Sequence, residues 1–250
     1  MTAIDIIFLS NARTPELRKI TEDALTSLKH SEDASAICFN IFVIESASEN
    51  KNQYQGTTTI FPNIAFGYHR YMNIGLRAGT APLVCMCNND LVFHPGWASA
   101  LLNAFNNDPT LMSASPYCGF FHGKRLTNPD QTVIAGYQNG IHVAGWCLFA
   151  RRSIFPIVGP LDERFEFWYC DDDYRKTLEK HHLKHALVTN ARVDHLGSRT
   201  LDNEPDSTRK DRMTRHQALL FHYKWGHRSW ILYRLKQLKY ILRTTWLKRQ

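Results

Sequence analysis

The stretch "AFGYHRYMNIGLRAGTAPLVCMCNNDLVFHPGW", residues 65–97, decides the fold. It reads as a helix that stops at Gly79, then the strand "PLVCMCNND", whose apolar run ends in two asparagines and one aspartate. Upstream the same grammar repeats. "IDIIFLS" (4–10) is an apolar strand running out into Ser10 and Asn11. "TPELRKITEDALTSLKH" (14–30) has helical spacing at Leu17, Ile20, Ala24 and Leu28, with Thr14 as N-cap and Pro15 in the first helical position. "ICFNIFVIES" (37–46) is the next strand. Consecutive βαβ units predict a mostly parallel sheet with helices on both faces, and such sheets bind ligands at the carboxyl ends of their strands. The polar strand ends "SNA", "ESAS" and "NND" are therefore expected along one edge.

The chain has 250 residues, 44% of them hydrophobic, which is enough for one large core and an appendage. The apolar run near the N-terminus is too short for a signal peptide or a bilayer span, and the expectation is a cytoplasmic protein. Cysteines 38, 85, 87, 118, 147 and 170 form no CxxC pair, and several sit in apolar runs, so they read as buried free thiols. Charge divides the chain in two. Ten Lys or Arg follow Asp211, the last acidic residue, so a tail of +10 is joined to a body of −3. The polar stretch "LDNEPDSTRKD" (201–211) reads as the linker.

Four segments in order carry a resemblance: "FVIESASEN", "NIAFGYHRYMNIGLRAGTAPLVCMCNNDLVFHPGW", "VAGWCLFARRSIFPIVGPLDERF" and "CDDDYRKTL" followed by "NARVDHLGSRT". Over residues 4 to 200 they resemble the family 2 glycosyltransferases of the GT-A fold. The resemblance implies a Rossmann-like three-layer α/β/α sandwich over residues 1–205, with 206–250 as a basic helical appendage. It implies an inverting, metal-dependent transfer of a sugar from a nucleotide-sugar donor, of the UDP-sugar kind, to an acceptor hydroxyl.

The chemistry explains the residue types. A nucleoside diphosphate leaving group calls for a hard divalent cation, Mn²⁺ or Mg²⁺, on carboxylate ligands. Asp90 falls on the family's metal position, with Asn88 replacing its usual acidic partner and Asn89 between them; His195 matches the late histidine that reaches the metal or diphosphate. In "CDDDYRKTL" three adjacent carboxylates repel one another, which favours one with a perturbed pKa. Family register makes Asp171 the base and aligns Asp173 with the second conserved acid, while Cys170 stands where the family has Glu. Ser10, Asn11, Glu45, Ser48 and Asn73 are expected around the nucleotide, and Trp146 and Trp168 on the acceptor side. Asn88 and Cys170 leave open a catalytically lapsed nucleotide-sugar-binding relative.

In the tail, Ile231, Leu235, Leu238, Leu242 and Trp246 form one apolar stripe flanked by Lys and Arg. Such a helix either packs on the body or meets an anionic partner. The partner is a membrane surface carrying a lipid-linked or envelope glycan, or else nucleic acid, with transfer to a hydroxymethylated base of phage-type DNA in the host cytoplasm.

Overall fold

The computed structural model describes residues 1–47, 49, 51, 53–123, 125–126, 131–197, 212–226 and 229–247, except the side chains of 212 and 243–247. Ser48 lies outside the described residues, as does the side chain of Trp246.

The first strand, β1 (Thr2–Ser10), is apolar on both faces because both are covered. Ile4, Ile6 and Phe8 enter one core, and Ile7 and Leu9 enter the other. Helix α1 (Pro15–Lys29) begins where Thr14 accepts the Leu17 amide at 3.3 Å, as its N-cap position requires. Strands β2 (Ile37–Glu45) and β3 (Thr58–Ile60) precede α2 (Tyr68–Ala78), and β4 (Leu83–Cys87) precedes the short β5 (Leu91–Phe93). Then come α3 (Trp97–Asn107), β6 (Leu111–Tyr117), the single turn α4 (Gly119–His122), β7 (Val133–Ala135) and β8 (Cys147–Arg151). After another single turn, α5 (Phe155–Val158), the body closes with α6 (Cys170–Lys180) and β9 (Lys184–His195).

The nine strands form one sheet in the order β3-β2-β1-β4-β8-β6-β9-β5, with β7 also on β9. Strands β1 to β4 are mutually parallel, as the βαβ pattern predicts. The remainder is mixed: β8 runs antiparallel between β4 and β6, and β5 and β7 run antiparallel to β9. Among the described residues the only helix between β6 and β8 is the single turn α4, too short for a parallel crossover. Helices α1 and α3 cover one face of the sheet and α2 and α6 the other. Helix α2 lies so close to β1 that a Cβ on Gly75 would stand 2.4 Å from Ile7, which accounts for that glycine by packing.

Two features depart from the expected division at residue 205. A turn of π-helix (Arg212–His216) and helix α7 (Gln217–Trp225) pack on the body. Leu220 joins Phe165 and Cys170, and the buried Gln217 accepts the Glu166 amide at 2.9 Å. Only α8 (Trp230–Leu247) has the character of an appendage. Its inner face meets α7 and the π-turn through Tyr233, stacked on Tyr223 at 4.4 Å, and through Gln237 and Tyr240 against His216. Those residues lie opposite Ile231, Leu235, Leu238 and Leu242, which are therefore turned outward, each more than half exposed. The part of the stripe formed by Ile231, Leu235 and Leu238 thus faces away from the body. Among the described residues no helix is long and apolar enough to cross a membrane. All six cysteines are free, and all but Cys38 are buried.

Candidate active site

Parallel register sets the polar strand ends side by side. Ser10 is paired with Glu45 across β1 and β2, and Phe8 with Cys87 across β1 and β4, so "SNA", Glu45 to Ala47 and "NND" share one edge as expected. A cavity of about 530 Å³ between α2 and α5 lies elsewhere, where Arg152 binds Asp5 and the Ala81 carbonyl near the start of β4.

At this edge Asp90 and His195, distant in sequence, are brought together by the antiparallel pairing of β5 with β9. Leu91 faces His195 in that ladder, and the Leu196 amide donates to the Asp90 carbonyl at 2.9 Å. The side chains then meet, with His195 Nε2 3.2 Å from Asp90 Oδ2. The two side chains are within ion-pair distance, and Nε2, which is buried, makes no hydrogen bond. A carboxylate oxygen and an imidazole nitrogen this close together can also serve as two ligands to one cation. His195 is held from one side by the Trp146 ring, stacked at 5.5 Å and 11°. Its neighbour Asp194 is fixed by His94 at 2.7 Å, Arg192 at 3.0 Å and the Gly119 amide at 3.2 Å.

Asp171 stands against the same segment. It packs so tightly on Gly145 that a Cβ there would lie 2.6 Å from the Asp171 Cβ, which places it one residue from Trp146. Its Oδ2 accepts from Asn139 at 2.9 Å and its Oδ1 from the Asp172 amide at 2.9 Å. Burial, reinforced by the neighbouring Asp172 charge, raises its pKa above the ordinary carboxylate value, although those hydrogen bonds oppose the rise. Position and pKa suit a proton acceptor. Tyr169, in the left-handed region at φ 66°, makes the turn that opens α6 at this point.

Several predicted residues are committed elsewhere. Both Asp173 oxygens are engaged, Oδ1 by the Trp225 indole at 2.7 Å and Oδ2 by Lys224 at 3.0 Å, so this acid anchors α7 and does not face the site. Asn73 donates to the Leu161 carbonyl and to Glu163 and accepts the Leu161 amide, so it braces the 161–163 loop instead of a nucleotide. Glu45 is fully buried; its Oε1 accepts the Ala12 and Ala47 amides and its Oε2 the Tyr54 hydroxyl at 3.0 Å. Burial, partly offset by the Ser10 hydrogen bond, pushes the Tyr54 pKa up to about 12, so that hydroxyl remains a donor. Glu45 shapes the edge from within. Ser10 is likewise bonded to Thr21 and Tyr54, and Asn89 to Thr21 at 2.8 Å. Asn88 is half-buried, and its amide holds the Trp146 carbonyl at 2.9 Å.

Asn11 differs, because its Oδ1 is buried and makes no hydrogen bond. So do the Trp146 indole nitrogen and His122 Nε2. His122 Nδ1 accepts the Cys118 amide at 2.9 Å, which leaves the proton on Nε2, and burial, with the Arg125 and His142 charges, pulls its pKa down to about 4. Trp146 is thus a buried support for His195 and no open acceptor platform, whereas Trp168, beside the acidic cluster, is half exposed. Sequence reading missed His122, Asn139 and Tyr54, which lie in segments without periodicity or motif. No protein-family model matches the chain, and no curated protein is significantly similar to it.

Proposed function

We propose that the chain is an inverting, metal-dependent glycosyltransferase with a GT-A-type body, moving a sugar from a nucleotide-sugar donor of the UDP-sugar kind to an acceptor hydroxyl. The observation that carries this reading is the close approach of His195 and Asp90, with Nε2 making no hydrogen bond, beside the half-buried Asp171 at the carboxyl edge of the parallel strands. One carboxylate and one imidazole fit Mn²⁺ better than Mg²⁺, which favours an all-oxygen shell. A divalent cation held by Asp90 and His195 would neutralise the diphosphate of the leaving group. Asp171, oriented by Asn139, takes the proton from the acceptor hydroxyl. Asn11 Oδ1 is a free acceptor for the nucleotide, and Trp168 offers an open ring for the acceptor.

The tail favours an acceptor held at an anionic membrane surface, such as a lipid-linked or envelope glycan. Helix α8 turns an apolar stripe outward between Arg234, Lys236 and Lys239, and a nucleic-acid backbone would leave that stripe without a partner. A lapsed, donor-binding relative would retain the metal pair and lose turnover. The test is UDP release from candidate UDP-sugars with Mn²⁺ present. Asp90→Ala and His195→Ala should each abolish the Mn²⁺ response, and chelation should silence the wild type. Activity indifferent to EDTA would remove the metal from the reading.

A further inference from the structure

Three cysteines that the proposed chemistry does not use converge inside the core. Alternation along β4 puts Cys85 and Cys87 on one face, and the antiparallel register with β8 sets Cys147 directly opposite Cys87. The sulfur atoms lie 3.3 Å (Cys85 to Cys87), 3.5 Å (Cys85 to Cys147) and 3.9 Å (Cys87 to Cys147) apart, and all three residues are fully buried. All three separations are at or below the roughly 3.5–4.0 Å optimum for carbon atoms, although sulfur is the larger atom. An atom equidistant from the three sulfurs sits about 2.1 Å from each in their plane and about 2.3 Å from each when about 1 Å above it, the latter being the ~2.3 Å length of a zinc–thiolate bond. Among the described residues, no His, Asp, Glu or further Cys completes a fourth position.

We propose that Cys85, Cys87 and Cys147 form a trigonal sulfur site for a soft, thiophilic cation of the Cu(I) type, separate from the Asp90 and His195 pair. Sulfur ligands select soft ions, and a three-membered set without a fourth donor suits Cu(I) better than Zn²⁺, whose structural sites are four-coordinate. Each thiol that ligates as thiolate releases its proton to solvent, and no oxidation or reduction takes place. The site bridges β4 to β8 directly beneath the candidate active site. Cys87 is joined to Asn88 and Cys147 to Trp146, the two residues whose backbones bond at 2.9 Å. Occupancy therefore clamps the strands that carry Asp90 and the support of His195.

The test is an anaerobic titration of the reduced, metal-free full-length chain with Cu(I) against a chromogenic chelator, with Zn²⁺ in a parallel arm. The expected result is about one equivalent of Cu(I) per chain and a higher melting temperature on loading. Cys85→Ala, Cys87→Ala and Cys147→Ala should each weaken binding by more than the roughly 10–100-fold that loss of an outer-shell partner costs, and Cys38→Ala should leave it unchanged. Copper-edge X-ray absorption of the wild type should give three sulfur neighbours at about 2.3 Å, and it decides the matter even where an alanine variant does not fold. Nitrogen or oxygen neighbours, affinity indifferent to Cys147→Ala, or preferential four-coordinate Zn²⁺ binding would each overturn the proposal.

Discussion

Replacing Asp173 by alanine separates an anchoring acid from a catalytic one. The Asp173 carboxylate is almost wholly buried, at 4% exposure, and holds Lys224 at 2.8 Å and the Trp225 indole at 2.7 Å. Breaking a buried ion pair by removing one partner costs about 3–5 kcal/mol. Here Lys224 keeps Asp162 at 2.9 Å and a quarter of its side chain remains in solvent, so its charge is not stranded. What is lost is a charge-assisted bond and the partner of a buried indole, which places the cost at about 2–3 kcal/mol. At roughly 2–4 °C per kcal/mol for a chain of this size, the melting temperature should fall by about 5–10 °C. Calorimetry measures that fall, and a double-mutant cycle with Lys224→Met should show the two residues coupled. UDP release, assayed well below the melting temperature, should persist. Turnover lost at an unchanged melting temperature would refute the reasoning and return Asp173 to the site.

Asp171→Asn should lower turnover by roughly 10²–10⁴-fold without lowering the melting temperature, since it removes a partly desolvated charge beside that of Asp172. Because burial raises the Asp171 pKa, activity should rise with pH through a value above the ordinary carboxylate range, and a limb at or below that range would count against this base. Asp162 has the opposite sign. Burial alone would raise it, but hydrogen bonds from Arg164 and Lys224 outweigh burial and hold it well below the usual value. Its stabilisation is present at neutral pH and is lost as pH falls below the ordinary carboxylate pKa toward its depressed one. Acid titration of Asp162→Asn should accordingly show a shallower loss of stability than wild type.

The first half of the fold was legible because its signals are local. Continuous apolar runs, the Thr14 cap and helical spacing specify β1, α1 and β2 without reference to anything distant. The mixed half was not. A three-residue strand such as β5 carries too little pattern to announce that it pairs with β9, and that pairing is what joins Asp90 to His195. Those two residues were named through resemblance, and their meeting is a property of the ladder. Glu45, Asn73 and Asp173 have the composition of ligand-binding residues and the bonding of structural ones. No one-dimensional signal distinguishes the two, because the partners that satisfy them, Tyr54, Leu161 and Lys224, lie in other segments.

Asp171 and Asp173 lie two positions apart on α6, so at 3.6 residues per turn they point to nearly opposite sides of the helix. One faces Gly145 and the candidate site, and the other faces α7. The entry to this helix includes Tyr169 at φ 66°, a conformation that costs on the order of 1–3 kcal/mol in a residue with a side chain and persists only where its surroundings enforce it. Those surroundings come from α7, where Phe221 stacks on Tyr169 at 5.1 Å and Lys224 and Trp225 hold Asp173. The segment 213–225 therefore holds the start of α6, and with it Asp171, in place, although its charge assigns it to the tail. Two truncations distinguish this from a separable tail. Residues 1–229 should melt close to the full chain and release UDP as it does, while failing to float with anionic liposomes for want of the α8 stripe. Residues 1–211, cut at the charge boundary, should lose both stability and turnover, because Leu220 leaves Phe165 exposed and Asp173 is left buried without a cation. Equal melting and equal UDP release from the two truncations would show that the body positions Asp171 unaided.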